Sequence, residues 1–222
     1  CILDIAKPCK GIDTGDNNTF LRLWFEVALN KQFVPSGKKV ITSDFANRKW
    51  FPYNKGGAFR KWYGNNEYVI NYENDGQALK ANKANLRNMD KYFQEGATWT
   101  VVSTAGFAVR YLPRGFTFDQ GGSGIFVSTN DRYSIWDVLS SLNSSIVYGV
   151  AKLLCPTLNY TTGDVRKFPI WKFECLEEVT KELVDIHKKD WDSSEVSWGF
   201  QRNALLDEVA ETNIECSLEK CL

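Results

Sequence analysis

Between Asn47 and Tyr63 the chain carries five cationic side chains, Arg48, Lys49, Lys55, Arg60 and Lys61, and no anionic one. Trp50, Phe51, Tyr53, Phe59, Trp62 and Tyr63 are interleaved with them. Cations beside amphipathic rings can neutralise phosphates while the rings stack or wedge against sugars and bases. Asn54 adds a side-chain amide of the kind that pairs with adenine in a major groove, where Arg and Lys suit guanine. A second reading fits the same residues. A twisted hairpin with its rings turned inward and its cations in solvent has this pattern too, because period-two alternation produces it. The residues alone leave both open. A further cluster, Gly11–Arg22, runs two glycines with Thr14, Asp16 and Asn17 into an expected helix N-terminus. That geometry suits a phosphate group, and it equally suits a well-capped helix.

Other chemistry is tested by subtraction. His187 is the only histidine and falls near the end of an acidic amphipathic stretch, a poor place for a triad or a histidine-based metal site. No P-loop and no G-x-G-x-x-G motif is present. Gly121-Gly122-Ser123-Gly124 has no helix after it and reads as a hairpin turn. Glu73 and Asp75 read as turn or edge residues rather than an acid–base pair. No catalytic residue and no metal site is expected in this chain.

Net charge is zero across 222 residues, yet it is unevenly placed. Residues 174–222 hold 13 acidic and 5 basic side chains, so the preceding residues carry a balance of +8 against −8. Such asymmetry points to a basic domain with an acidic tail, a hint of nucleic acid, although a solvated acidic helix fits as well. The six cysteines, Cys1, Cys9, Cys155, Cys175, Cys216 and Cys221, cluster at the two ends without a C-x-x-C pair. Free, reduced thiols and a cytoplasmic location are therefore expected. No apolar run approaches the roughly 20 residues that cross a bilayer. The single methionine is Met89 and the chain opens at Cys1, which leads us to expect an internal piece of a larger protein.

The elements that must position these residues read as α+β. A strand or linker over residues 1–15 precedes a largely buried helix from Thr19 to Leu29. Strands are expected at Trp50–Tyr53, Phe59–Tyr63, Tyr68–Tyr72, Trp99–Ser103, Phe107–Leu112, Phe116–Phe118 and Ile125–Val127. A polar, helical insert over 75–95 interrupts them. Helices follow at Tyr133–Asn143 and Ile146–Leu154, then a strand at Val165–Trp171. A last helix should bury Leu176, Val179, Leu183 and Ile186. The boundaries expected are a central domain over 16–172 and an acidic helical segment over 173–222.

Three stretches together resemble a known family. Gly11–Arg22 resembles the G-x-x-T-G-x-N-x-x-F-L-R segment of the BREX phage-defence adenine methyltransferases, the PglX family. Lys49–Asp75 and the V-R-Y-L-P-R-G-F-T-F core of Phe107–Phe118 continue the match. Leu142-Asn143-Ser144, Pro156–Asn159, Gly163–Val165, Asp190–Ser193 and Ser197-Trp198 extend it over most of the chain. The resemblance implies a parent enzyme that transfers a methyl group from S-adenosylmethionine to adenine N6 in double-stranded DNA. It also implies that the N-P-P-Y catalytic motif and the F-x-G-x-G cofactor loop, both missing here, lie in an N-terminal methyltransferase domain. What is left resembles a target-recognition domain, related in plan to type I restriction specificity subunits, without catalytic activity or cofactor of its own.

Chemistry and family position together mark Arg48, Lys49, Lys55, Arg60 and Lys61 for DNA contact and Asn54 for reading a base. Trp62 and Tyr63 are candidates for stacking or for the core, and Thr14, Asn17 and Arg22 for backbone contact. A protein-interaction module that docks other phage-defence proteins is the alternative. A carbohydrate-binding module would need exposed rings without the cation cluster.

Overall fold

The computed structural model describes residues 2, 5–35, 45–128, 132–173, 175–203 and 206. Cys1, Cys216, Cys221 and nearly all of the acidic stretch after 203 lie outside the described residues, whereas Cys9, Cys155 and Cys175 are free thiols. In chain order come β1 (Ala6–Cys9), β2 (Ile12–Asp13), α1 (Asn17–Phe20), β3 (Leu21–Leu23), β4 (Trp50–Asn54), β5 (Tyr68–Asn71), α2 (Glu73–Ala81) and β6 (Asn85–Leu86). There follow β7 (Gly96–Thr100), β8 (Val109–Leu112), β9 (Thr117–Phe118), β10 (Gly122–Val127), α3 (Ile135–Leu142), α4 (Ser145–Leu154), α5 (Thr162–Val165) and α6 (Leu176–Asp192). The class is mixed α+β.

One four-stranded antiparallel sheet has the order β1-β10-β7-β8. A second, β3-β5-β4-β9, is antiparallel except for the parallel β4–β9 pair, and β2 with β6 makes a two-stranded ribbon. Alternation along the strands divides the first sheet between two cores. Ala97, Trp99, Val109 and Ile125 face one cluster with Val138, Leu139 and Leu142 of α3, Val147 of α4, and Val184 and Trp191 of α6. Cys9, Leu112 and Phe126 face the other, an aromatic cluster with Phe51, Tyr53 and Ile70 from the second sheet. The order is therefore helices, first sheet, second sheet. The α6 helix adds Val184 and Trp191 to the first core.

Several local expectations give way to tertiary pairing. Asp16 caps a helix as expected, accepting from the Thr19 backbone N–H at 3.1 Å. That helix ends after one turn, because Leu21, Arg22 and Leu23 pair with Ile70, Val69 and Tyr68 of β5. No strand forms at Phe59–Tyr63. There the chain loops out and bridges to β8 through the Trp62 backbone, whose N–H donates to the Val109 carbonyl at 2.9 Å and whose carbonyl accepts from the Tyr111 N–H at 2.7 Å. The 75–95 insert is helical through α2, then supplies β6 and a single 3-10 turn at Met89–Lys91. Val165–Trp171 is the last residue of α5 followed by an irregular run, not a strand: Ser141 Oγ of α3 bonds both the Trp171 N–H and carbonyl, at 2.9 and 3.1 Å. In α6 the buried face is Thr180, Val184 and Trp191, one residue round from the expected one, while Val179 and Ile186 are exposed. His187 is turned partly inward and lies 2.8 Å from the Leu183 carbonyl through Nδ1.

Gly121–Gly124 is not a hairpin turn. Gly122–Val127 is β10, and a Cβ on Gly122 would stand 2.6 Å from Gly56 N, while one on Gly56 would stand 2.7 Å from the Gly121 carbonyl oxygen. The two glycine-rich segments of the sequence pack backbone to backbone.

Candidate nucleic-acid interface

The aromatic–basic run is dispersed into three environments. At the edge of the second sheet, Arg22 and Lys49 flank the Trp50 ring, at 5.9 and 5.7 Å from its centroid. The Arg22 guanidinium also donates to the carbonyls of Asn18 and Leu21, at 2.5 and 2.6 Å. Arg48 beside them donates to the Asn30 carbonyl at 2.8 Å. These three cations keep solvent-facing surface.

The loop between β4 and β5 sends its cations elsewhere. Arg60 lies over the Trp191 ring at 4.8 Å and pairs with Asp190 at 3.3 Å. Lys61 donates to the Asn143 carbonyl at 3.1 Å. Trp62 is half-buried with a φ of 68°, uncommon for a bulky side chain. Tyr63 is buried, which pushes its phenol up to about 12, and Lys188 sits 5.7 Å over its ring. This part of the run clamps α6 to the body of the protein.

Two expected contacts are inside. Asn54 has no exposed surface: its Nδ2 donates to Asn66 Oδ1 at 2.7 Å and its Oδ1 accepts from Thr98 Oγ1 at 2.9 Å. Both ends of the amide are engaged between the sheets, so no base edge can reach it. Thr14 is buried as well and donates to Asn17 Oδ1 at 2.7 Å, leaving Asn17 exposed at the start of α1. Near Asn54, Arg110 is almost wholly buried. Its Nη1 donates to Thr100 Oγ1 at 3.3 Å, while Nε and Nη2 have no partner, and burial brings its pKa down to about 10.

Lys55 is the member of the run that reaches a cavity. It lies 5.1 Å from the Tyr68 ring centroid and lines a cleft of ≈ 450 Å³. Lys10, Thr100, Asp119, Gln120 and Asn159 are among the other residues of that wall. Asp119 Oδ1 accepts from the Tyr53 hydroxyl at 2.8 Å, and burial raises its carboxyl pKa above the ordinary range. Arg87 donates to Gln120 Oε1 at 2.7 Å. The cleft exists because β1, β4, β7 and the β9–β10 connection converge where the glycine segments meet. Its residues are spread from position 10 to 161 in short runs of one to three, and the pattern of the sequence holds no signal for them beyond Lys55 and the two glycine pairs. Among the described residues no group of His, Cys, Asp and Glu side chains is arranged to hold a metal, and no helix is long and apolar enough to cross a membrane.

The chain is similar in sequence to parts of adenine-specific methyltransferases. The chain is 55% identical over 203 residues, 91% of its length, to the adenine-specific methyltransferase BrxX of Escherichia coli O9:H4 (strain HS). It is 38% identical over 226 residues, 97% of its length, to the adenine-specific methyltransferase PglX of Lacticaseibacillus casei (strain Zhang). The chain spans 16% and 18% of the length of these curated relatives. No family model matches it.

Proposed function

We propose that this chain is the DNA target-recognition part of a cytoplasmic, site-specific adenine-N6 methyltransferase acting in phage defence. The observation that carries the reading is identity along nearly the whole chain to one segment of adenine-specific methyltransferases, in a segment without an N-P-P-Y motif. The structure adds two surfaces suited to phosphates: Arg22, Arg48 and Lys49 around Trp50, and the cleft of Lys10 and Lys55. S-adenosylmethionine is the methyl donor of the parent in this proposal. The described residues do not fit it: the glycines at 122 and 124 are packed against Gly56 and Phe126 and lead into a strand, leaving no loop to cradle the cofactor. In this proposal methyl transfer belongs to the parent's N-terminal domain.

Electrostatic binding to duplex DNA is tested by its salt dependence, where each neutralised phosphate contributes about −0.9 to the slope of log affinity against log salt. Arg22→Ala/Lys49→Ala should reduce that slope by about 1.8 if both residues meet phosphates. Arg60→Ala/Lys61→Ala should change it less, because those cations are engaged with α6 and Asn143. A slope unaffected by Arg22→Ala/Lys49→Ala sinks the proposed surface.

A second reading, docking to another protein, is favoured by the outer side of α4, where Ile146 and Leu153 are 62% and 83% exposed. Its partner would be the methyltransferase domain of the parent or another phage-defence protein. Leu153→Glu should then weaken association with that domain in a two-component binding assay while leaving duplex binding intact.

A further inference from the structure

We propose that the cleft receives a single nucleotide that has left the DNA stack, its phosphate between Lys10 and Lys55 and its base edge against Asp119, Gln120 and Asn159. The inference rests on the DNA-binding reading and deepens it.

Shape comes first. Base edges inside a duplex are read by an element that protrudes into a groove. A hollow of ≈ 450 Å³ does the reverse: it admits a ligand that is inserted into it, and this one is of the size to take one nucleotide. Whatever part of a DNA strand enters must therefore be unstacked.

The lining is divided as a nucleotide is. Lys10 is exposed and Lys55 is only half-buried, so both can meet an anion at the mouth, and Lys55 is steadied by the Tyr68 ring. Asp119 sits among donors, receiving the Tyr53 hydroxyl on Oδ1. That bond and those from the backbone N–H groups of Gln120 and Gly121 still leave an acceptor position for a base N–H, because an ionised carboxylate has about four acceptor sites. Gln120 has its oxygen occupied by Arg87, which leaves its NH2 as the donor toward a base. An acceptor beside a donor is what a Watson–Crick edge requires. Val101 and Val102 supply the apolar wall for the ring. The Asp119 carboxylate would repel a phosphate placed beside it, which puts the phosphate at the lysines and the base at the acid.

The chemistry of the parent supplies such a nucleotide. An enzyme that modifies adenine N6 must take the base out of the duplex, and this leaves the opposite base without a partner. This chain lacks the catalytic motif, so the nucleotide it holds is not the one being methylated.

The test compares the 222-residue chain on two labelled DNAs by fluorescence anisotropy: a perfect duplex and the same duplex with one unpaired nucleotide. The expected result is at least roughly tenfold tighter binding to the bulged duplex. Val102→Trp, at the exposed rim, and Asn159→Ala, whose side chain is exposed, should each reduce that preference, while Arg22→Ala/Lys49→Ala weakens both DNAs alike. Equal binding to the two DNAs by the wild-type chain overturns the cleft proposal and leaves DNA binding standing. A preference that survives both cleft variants, with their circular dichroism unchanged, overturns it too. Failure to bind either DNA at low salt removes the DNA-binding reading and this inference together.

Discussion

Asn143 closes helix α3 and stands in for a strand. It is buried, with Oδ1 accepting from the Val109 N–H at 3.0 Å and Nδ2 donating to the Val109 carbonyl at 3.0 Å. Val109 belongs to β8, so the side-chain amide pairs with the open edge of the first sheet as a neighbouring backbone would. Asn143→Ala removes both bonds. The Val109 carbonyl keeps a second donor in the Trp62 N–H, whereas its own N–H is left buried without an acceptor. An orphaned buried group costs about 1–3 kcal/mol and the lost second bond about 1 kcal/mol, so the variant should lose about 2–4 kcal/mol. For a protein of this size each kcal/mol is about 2–4 °C in Tm. Equilibrium urea unfolding and calorimetry measure the loss directly. Asn143→Asp sharpens the test: its ionised carboxylate keeps the acceptor and lacks the donor, but once protonated it has both. That variant should be destabilised at neutral pH and approach the wild-type chain near roughly pH 4, where a carboxyl begins to protonate. A loss under about 1 kcal/mol for Asn143→Ala, or no acid recovery for Asn143→Asp, would refute this edge pairing.

Three further outcomes follow from the geometry. Trp191→Ala should destabilise by about 3–5 kcal/mol through lost core burial, whereas Asp190→Asn breaks a surface pair worth about 0–1 kcal/mol; comparable losses in urea titrations would show that the clamp is electrostatic. Burial raises the phenols of Tyr53, Tyr72, Tyr92 and Tyr111, and that of Tyr63 to about 12. These tyrosines stay protonated in the folded chain while the unfolded chain ionises near roughly pH 10, so their stability contribution is full below that pH. It is lost as pH rises through their folded values. Arg110, lowered to about 10, acts in the opposite direction, but one group stands against five. The urea midpoint should therefore fall between roughly pH 10 and 12, together with the rise in tyrosinate absorbance; a constant midpoint contradicts it. Gly11→Ala should prevent native packing, since a Cβ there would stand 1.9 Å from the Phe118 carbonyl oxygen, and an unchanged Tm would show that this approach is not required.

Features carried by near neighbours were written in the chain itself. Mixed α+β content, the cores of β4, β5 and β8, helices α3 and α4, and the Asp16 cap were legible because alternation, capping residues and apolar periodicity act over a few positions. The relation to adenine methyltransferases was legible in the Gly11–Arg22 and Lys49–Asp75 motifs, since identity of residues survives without knowledge of their placement. Where each charge and amide went was settled by tertiary packing alone. Thr19–Leu29 had the apolar spacing of a helix, but β3 formed because pairing with β5 satisfies backbone groups and buries Leu21 on the same core. Asn54 had the chemistry of a base reader and lies between two sheets, because its strand carries it beneath the β4–β5 loop. The run of five cations looked like one surface and became three. Residues adjacent in the chain leave a loop in different directions, so Arg60 and Lys61 met α6 and α3 while Lys55 met Lys10, Asp119 and Asn159. Those cleft residues are distant in the chain, and only the folding of the two glycine pairs against each other makes them neighbours.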